Sequence, residues 1–435
     1  MIETIRSQEK ERLAAKLRAI RSRNVALDET LISQVVEIIR EVRVRGDAAL
    51  IELTARLDGF DMSPDCLRVS EKALRSAASQ TDPRVVAALR EAIRRVRTFH
   101  EFQLERSWEV ETEGKVKLGQ RITPIDSVGV YVPGGTASYP SSVVMNVVPA
   151  QIAGVTRIAL ATPPRSLREN PAVAAALVEL EVTEVYAVGG AQAIAALAYG
   201  TETIPRVDKI TGPGNKYVAA AKKLVFGIVG IDSLAGPTEV VVLADDSARA
   251  SFVASDLLAQ AEHGEEASAL LVTTSERLAT LVANEVQKQA RSLARADVIE
   301  KSLARYGGII VVDNFAEACA LVNELAPEHL EIVVRTEELE AEIASNVRNA
   351  GAIFFGEQTP EAAGDYLAGP NHVLPTGGTA RFSSALGVYD FLKRTSILKF
   401  SSSELQRTAP FIATLARAEG LEAHARSALI RLQEK

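Results

Sequence analysis

Cysteine is scarce in this sequence, and long apolar runs are absent. The 435 residues include two cysteines, Cys66 and Cys319, and neither belongs to a CxxC motif. This disfavours both a disulfide framework and a cysteine-based zinc site, and two sparse thiols fit a reducing compartment. The longest apolar stretch, VYAVGGAQAIAALAYG, is shorter than the roughly 18 residues needed to cross a bilayer. The first residues, MIETIRSQEKERL, lack the apolar core of a secretory signal, so we expect a cytoplasmic protein without a membrane segment.

Basic blocks and the common nucleotide-binding fingerprints are absent too. The formal net charge is −7, and lysine and arginine lie mostly beside glutamate in helical stretches such as EKERLAAKLRAIRSR. That pattern is typical of solvated helix faces. No block of basic residues is interleaved with aromatic residues, so we expect no nucleic-acid partner. Neither GxGxxG nor GxxxxGK[ST] follows any predicted strand.

Short runs rich in valine and isoleucine begin near residue 121 and alternate with alanine-rich helical stretches. The runs SVGVYV, RIALAT and EVYAVGG come first, and the alternation restarts after the Gly-Pro of LAGPTE with EVVVLAD and ASALLVTT. Continuous apolar strands separated by helices indicate parallel sheets covered on both faces. We therefore predict an α/β fold of two doubly wound, Rossmann-like parallel-sheet units. We expect a helical N-terminal segment before them and, from about residue 381, a small helical tail that packs on another domain or subunit.

Glycine-containing turns follow the predicted strands of the unit that begins near residue 121. They are YVPGGTASYPS, VGGAQA, TGPGNKY and LAGPTE. Such turns let backbone N–H groups approach an anion or a nucleotide at the start of the next helix. Four of them in one unit predict a pocket for a small molecule or a nucleotide at the carboxyl ends of the strands.

Histidine is also scarce, and four of the five lie after residue 250. In LLAQAEHGEEA, Gln260 and His263 are three residues apart, so a helix would present both on one face. They could be ligands of a metal or a substrate, or an ordinary polar stripe. The spacing alone favours the stripe, because glutamine is an uncommon zinc ligand. The fifth histidine, His100, is interpreted as a surface or packing residue.

Further ionisable residues offer both catalytic and structural interpretations. Glu328 and His329 are adjacent before an apolar strand, where they could serve two proton transfers or simply face solvent. Asp365 and His372 lie in an irregular segment, and His424 is on a charged helix together with Glu419. Gln260, His263, Asp365 and His424 would together supply two imidazoles, a carboxylate and an amide oxygen. Such a set suits Zn²⁺ or a similar ion.

Eight motifs in order resemble those of the histidinol dehydrogenase family. They run from about residue 120 to the end of the chain: GVYVPGG, GGAQAIAALAYGT, GPGNKYV, DSLAGPTEV, SDLLAQAEHG, APEHLEI, AGDYLAGPNHVLPT and EGLEAHARS. The resemblance implies the last two steps of histidine biosynthesis. L-Histidinol would be oxidised to the aldehyde and then to L-histidine, with reduction of two NAD⁺.

The resemblance also assigns roles to residues of this chain. It implies a Zn²⁺ site that is completed by the amino and imidazole nitrogens of the substrate and that is formed by Gln260, His263, Asp365 and His424. His329 would take the alcohol proton, and Glu328 would activate the water that hydrates the aldehyde. NAD⁺ would be contacted by Tyr131, Gln192 and Asn215. The substrate would be contacted by Thr238, Gln260, His263, His329, Asp365, Glu419 and His424. At position 238 many relatives have serine, so the added methyl group puts the geometry of that contact in doubt.

The resemblance implies an intertwined homodimer, in which Glu419 and His424 act at the partner's active site and His372 lies near the substrate. We expect four parts of the chain. A helical arm spans 1–25. Residues 26–120 and 239–380 form the first α/β unit, with the metal and acid–base residues. Residues 121–238 form a second α/β unit on the NAD side, and 381–435 form the tail.

Two other functions fit part of the pattern. A metal-dependent hydrolase could use the same ligands with Glu328 as its base, but it would not need the turns at 131–136 and 212–217. A ligand-binding protein of two similar α/β lobes would need no acid–base pair. If secreted, it would also need a signal segment, and none is visible at the N-terminus.

Overall fold

The computed structural model describes residues 2–23, 29–134 and 139–432. The strands are β1 (Thr4–Arg6), β2 (Trp108–Thr112), β3 (Val116–Pro124), β4 (Ser127–Tyr131), β5 (Arg157–Thr162), β6 (Glu184–Ala187), β7 (Lys209–Thr211), β8 (Gly230–Ile231), β9 (Glu239–Ala244), β10 (Ser268–Thr273), β11 (Gly308–Val311), β12 (His329–Val333), β13 (Ala352–Phe355) and β14 (Leu392–Lys399). They form three sheets. Within the described ranges, no helix has both the length and the apolar character that crossing a membrane requires.

The structure describes eighteen α-helices, most of which cover the faces of the two parallel sheets. They are α1 (Lys10–Ser22), α2 (Glu29–Arg45), α3 (Asp47–Leu53), α4 (Glu71–Ala78), α5 (Pro83–Glu101), α6 (Pro140–Ala153), α7 (Pro164–Glu169), α8 (Pro171–Glu179), α9 (Gly190–Tyr199), α10 (Lys216–Val225), α11 (Ala250–Ala261), α12 (Glu276–Ala290), α13 (Ala296–Tyr306), α14 (Phe315–Leu325), α15 (Glu337–Asn346), α16 (Glu361–Tyr366), α17 (Ser402–Ala418) and α18 (Glu422–Ile430). Short 3₁₀ or π turns lie at Thr54–Asp58, Pro64–Cys66, Glu113–Lys115, Thr379–Arg381 and Val388–Phe391.

The larger sheet is parallel throughout and has the strand order β1-β11-β10-β9-β12-β13. Its central strands are fully buried, because helices α11, α12 and α13 pack on one face and α1, α14 and α15 on the other. Burial on both faces explains why these strands are apolar without alternation. The expected arm at residues 1–25 therefore begins with an edge strand of this sheet and continues as a helix packed on it.

The second parallel sheet has the order β6-β5-β4-β7-β8. One face packs against α2, α3, α9 and α10, and the other against α5, α6 and α8. The expected assignment of residues 26–120 to the other unit thus differs from the packing, since the helices of 29–101 cover this second sheet. Their amphipathic pattern shows that they have an apolar face but carries no information on which sheet that face covers.

The third sheet is antiparallel and was not expected from the sequence. It has the order β14-β3-β2 and pairs the segment before β4 with the C-terminal region, with Leu392 opposite Pro124 and Lys399 opposite Lys117. Every residue of β2, and all but the first of β14, is exposed. Because these strands bury no apolar face, they lack the alternation by which a strand is recognised. The expectation of a mostly helical segment up to 120 was wrong here.

The tail helices α17 and α18 pack mainly on each other. Their small core contains Ala413, Ala416, Ala425 and Leu429, while Phe411 and Leu415 are each about two-thirds exposed. So small an apolar core fits the expectation that these helices do not form a unit of their own.

Candidate active site

Glu328 and His329, the predicted acid–base pair, lie where strands β9 and β12 begin. His329 is the first residue of β12 and is opposite Val240 in β9, which Thr238 and Glu239 lead into. Helix α11 runs back across the sheet from the end of β9, so its last turn returns Gln260 to the same edge. The pocket that the glycine-containing turns predicted at carboxyl ends of strands belongs to the other unit and does not include these side chains. These side chains gather at the amino ends.

Glu328 is a buried carboxyl group with two hydrogen-bond donors. Its Oε2 accepts from Thr238 Oγ1 at 2.5 Å and from the Glu239 amide at 3.0 Å. Burial raises the pKa of Glu328 to about 8, although both hydrogen bonds act in the opposite direction. The Thr238 hydroxyl is therefore already engaged with the carboxyl group of the acid–base pair.

His329 is buried beside this carboxyl group, and one tautomer is favoured. Its Nδ1 lies 3.1 Å from the carbonyl oxygen of Glu239. A carbonyl can only accept, so Nδ1 carries the proton and Nε2 keeps its lone pair. Nε2 lies 3.9 Å from Asp365 Oδ1. Burial lowers the pKa of His329, although Asp365 opposes the shift, so the imidazole is neutral and Nε2 can accept a proton.

Three of the four predicted ligands, Gln260, His263 and Asp365, lie around this pair. His263 is at the exposed mouth, one turn beyond Gln260, and partial desolvation lowers its pKa while the charge of nearby Asp365 opposes the shift. Asp365 projects from α16, and His372 packs beside it, with Nδ1 2.9 Å from the Asp365 carbonyl oxygen and Nε2 3.3 Å from Ser142 Oγ. His372 thereby links this site to α6 of the second unit.

Gln260 is fully buried and its amide is saturated with hydrogen bonds. In the orientation that satisfies both ends of the amide, the nitrogen donates to both carboxyl oxygens of Glu361. The oxygen then lies 2.6 Å from the Glu239 amide nitrogen and 2.6 Å from Thr238 Oγ1. For the oxygen to coordinate a metal, the amide must first leave these partners.

Glu361 is a member of the site that the sequence reasoning missed. It is the first residue of α16, is almost fully buried, and has Oε1 3.7 Å from Nδ1 of His329. Burial raises its pKa well above the ordinary value. The sequence did indicate that Glu361 accompanies Asp365, because the two residues are four positions apart after a proline and therefore share one helix face. It did not indicate that this face is buried.

A second carboxyl pair, Asp256 and Glu331, lies next to Glu361. Glu331 Oε1 accepts a hydrogen bond from the Glu361 amide at 2.9 Å, and its carboxyl group shares a hydrogen bond with Asp256. Burial, together with the charge of Asp256, raises the pKa of Glu331 to about 8. The two carboxyl groups therefore hold a proton at neutral pH.

Removing the carboxyl group of Glu331 should make folding less sensitive to pH. The pKa of Glu331 is higher in the folded state than in the unfolded state. Its contribution to folding stability is therefore fully present below the unfolded-state pKa and is lost as the pH rises through about 8. We expect metal-free Glu331→Gln to melt at least about 3 °C above the wild type at about pH 9, on the order of 1 kcal/mol, with a smaller difference at about pH 6. Thermal unfolding at the two pH values measures this. Glu337→Gln, at an exposed position, is the control. Equal melting temperatures of Glu331→Gln and the wild type at high pH would contradict the prediction.

The predicted NAD contacts lie in the second unit, at the carboxyl ends of its strands. Tyr131 ends β4, and its hydroxyl accepts from the Gly190 amide at 3.0 Å. Gln192 is buried in the first turn of α9, and its Oε1 has no hydrogen-bond partner. Asn215 caps α10. The turn YVPGGTASYPS includes residues 135–138, which lie outside the described residues.

Glu419 and His424 are not part of this cluster in the same chain. Both are exposed on the α17–α18 pair, and no side-chain hydrogen bond or ion pair links either one to another described residue. In the described part of the chain, no three His, Cys, Asp or Glu side chains are arranged to hold a metal ion. One chain thus brings together Gln260, His263 and Asp365 but not the fourth predicted ligand.

The fold and the site define a two-unit α/β enzyme. One unit carries a buried glutamate–histidine pair beside nitrogen and oxygen side-chain atoms, and the other carries glycine-containing turns at strand ends. A family model described as histidinol dehydrogenase matches residues 21–432. The chain belongs to the histidinol dehydrogenase family and is an oxidoreductase.

Relatives across most of the chain carry the same description. A histidinol dehydrogenase of Geobacillus kaustophilus is 53% identical over 401 residues, covering 92% of this chain and 93% of the relative. One from Geobacter sulfurreducens is 50% identical over 420 residues, covering 96% and 97%. The crystal structure of histidinol dehydrogenase from Elizabethkingia anophelis has a TM-score of 0.88 at 37% identity and covers 93% of each chain. This similarity confirms the predicted α/β fold.

Proposed function

We propose that this protein oxidises L-histidinol through L-histidinaldehyde to L-histidine, with Zn²⁺ and two NAD⁺. The observation that carries the proposal is the buried Glu328–His329 pair beside Gln260, His263 and Asp365, in a chain about half identical to relatives named histidinol dehydrogenase. The reaction would complete histidine biosynthesis, and the cytoplasmic location expected from the sequence is part of the proposal.

The donor chemistry of the site fits zinc. His263 offers an imidazole whose lowered pKa keeps it neutral, and Asp365 offers carboxylate oxygens beside it. Gln260 would add its amide oxygen after release from Glu361 and the Glu239 amide. Imidazole and oxygen donors of this kind are ordinary ligands of Zn²⁺. When bound, the metal would supply a template that orients the amino and imidazole nitrogens of the substrate.

The remaining ligand would come from a second copy of the chain. One chain does not place His424 in the cluster, and its tail exposes apolar side chains such as Phe411 and Leu415. Exposed apolar patches of this kind are typical of protein interfaces. We therefore propose a homodimer, with His424 of the partner subunit as a zinc ligand and Glu419 of the partner subunit in contact with the substrate.

The buried pair would divide the proton transfers between the two oxidations. His329 is neutral with a free Nε2, so it can take the hydroxyl proton of the alcohol. Glu328, held by Thr238 and the Glu239 amide, can take a proton from the water that adds to the aldehyde. The chemistry that NAD⁺ supplies when bound is hydride acceptance in each oxidation.

The second unit would bind the dinucleotide. Tyr131 ends β4, and Gln192 and Asn215 lie at the start of the helices that follow β6 and β7 of the same parallel sheet, at the edge where α/β sheets bind such ligands. A groove of about 690 Å³ lies next to Ala187 at the end of β6, and it is lined by apolar side chains such as Phe60 and Pro164 together with polar ones such as Asp61 and Arg168. Apolar side chains and a basic group beside a glycine-containing turn suit a flat base next to phosphate groups.

Purified protein supplied with zinc, L-histidinol and NAD⁺ tests this function. We expect two NADH and one L-histidine per histidinol, followed by NADH absorbance and by chromatography of the product. Zinc-loaded protein that forms no NADH would contradict the proposal. Binding of histidinol without turnover would favour the two-lobed binding protein, and hydrolysis of an ester or amide analogue without NADH would favour the metal-dependent hydrolase.

A further inference from the structure

Lys222 and Asp232 form an ion pair that is almost completely buried. Their side chains are 2% and 4% exposed, and the ammonium group contacts Asp232 Oδ1 directly. Lys222 is on α10, and Asp232 follows β8. Burying two charges is expensive unless further hydrogen bonds compensate them, so a pair of this kind calls for a reason beyond packing.

The compensating groups belong to one residue, Gly212. The Gly212 amide donates to Asp232 Oδ2 at 2.8 Å, and its carbonyl oxygen accepts from Lys222 Nζ at 3.0 Å. Gly212 has a φ of +110°, and a Cβ there would lie 2.0 Å from the carbonyl oxygen of Tyr131. The ion pair therefore holds both polar groups of a residue that only glycine can occupy, pressed against the end of β4.

Gly212 opens the turn on the proposed cofactor side. Three residues later Asn215 caps α10, and its side chain is exposed at that edge of the sheet. Asp232 opens the connector 232–238, which leaves the second unit and ends at Thr238, the hydroxyl bound to Glu328. The Lys222–Asp232 pair thus joins the cofactor-side turn to the connector that reaches the acid–base site.

We propose that Lys222 and Asp232 are positioning residues, whose buried ion pair fixes Gly212 and thereby the place of Asn215 relative to the connector. The assignment of Asn215 to NAD⁺ rests on the proposed function. The far end of the connector has its own anchors, because the Gly236 amide donates to Thr376 Oγ1 at 2.6 Å and Thr238 donates to Glu328. Loss of the ion pair should therefore increase the mobility of the turn that contains Gly212 and Asn215, while the position of Thr238 beside Glu328 stays unchanged.

The double variant Lys222→Met/Asp232→Asn tests this, because it leaves no uncompensated buried charge. We expect kcat/KM for NAD⁺ to fall about 10- to 100-fold while KM for histidinol stays within about twofold. Amide hydrogen exchange at residues 212–217 should become faster in the same protein without any ligand. The matched control is Lys209→Met, which removes a nearby, partly buried Lys209–Asp390 pair that does not touch the turn.

A folded double variant with unchanged exchange at 212–217 and an unchanged KM for NAD⁺ would overturn the proposal, as would an equal effect of Lys209→Met. If the double variant does not fold, Lys222→Gln/Asp232→Asn, which also leaves no buried charge and keeps a hydrogen-bonding group at both positions, is judged by the same two measurements. Wild-type protein that reduces no NAD⁺ would refute the proposed function instead. The exchange experiment would still decide whether the pair fixes the turn.

Discussion

Replacement of His263 by alanine is expected to abolish zinc binding and to lower histidinol oxidation by at least about 100-fold, while the chain stays folded. His263 is one of three proposed donors that a single chain brings together, and the other two would not hold the metal alone. Its side chain is at the exposed mouth of the site, so truncation leaves no cavity in the core. Zinc content per subunit, thermal unfolding and NADH formation measure the three parts of this expectation.

The neighbouring Glu262→Ala is the matched control, since it alters the same turn without removing a proposed donor. It should keep both metal and activity. Full zinc content in His263→Ala would show that the metal is bound elsewhere and would reject the ligand assignment. Loss of zinc in both variants would instead show that the turn after α11 is required as a whole.

Mixing subunits extends this experiment to the proposed partner contribution. His424→Ala should also lose zinc, although its side chain is exposed and away from the cluster in the same chain. A heterodimer of the two variants would contain one site with all its ligands. Random exchange of the two inactive proteins should then restore about a quarter of the wild-type activity. No recovery, with exchange of subunits demonstrated, would place both histidines in one site of a single chain.

Much of the site could be predicted because its signals are local. The three-residue spacing of Gln260 and His263 indicated one helix face, and the structure places them on the last turn of α11 and just beyond it. Continuous apolar runs indicated parallel strands, and both parallel sheets formed from them. Such patterns depend on the 3.6-residue and two-residue periods of the backbone, which any segment carries by itself.

What could not be predicted depends on contacts between distant segments. Burial of Glu361 and Glu331 beside His329 results from the way α16 closes over the first residues of β12, and no local pattern reports it. Two further features also depend on which distant segment is contacted. Residues 29–101 pack on the second sheet rather than the first, and β14 pairs antiparallel with β3. A segment with one apolar face, or with none, does not specify its partner.

Glu328→Gln should separate the two oxidations. The amide is nearly the same size and can still accept from the Glu239 N–H, but it cannot take a proton from water. We expect oxidation of added L-histidinaldehyde to fall about 10²- to 10⁴-fold, whereas oxidation of histidinol, which relies on His329, falls much less. Product analysis should then show the yield approaching one NADH per histidinol, with the aldehyde accumulating.

The pH dependence of the aldehyde step gives a second measure of the same role. Burial raises the pKa of Glu328 to about 8, so the group is largely protonated at neutral pH and becomes a competent base as the pH rises through that value. In the wild type the aldehyde step should therefore accelerate between about pH 7 and pH 9, and Glu328→Gln should lose this dependence. His329→Asn is the complementary variant, which should impair histidinol oxidation most. If Glu328→Gln spared the aldehyde step and stopped the alcohol step, Glu328 would be the base of the first oxidation, and water activation would have to come from another buried group such as Glu361.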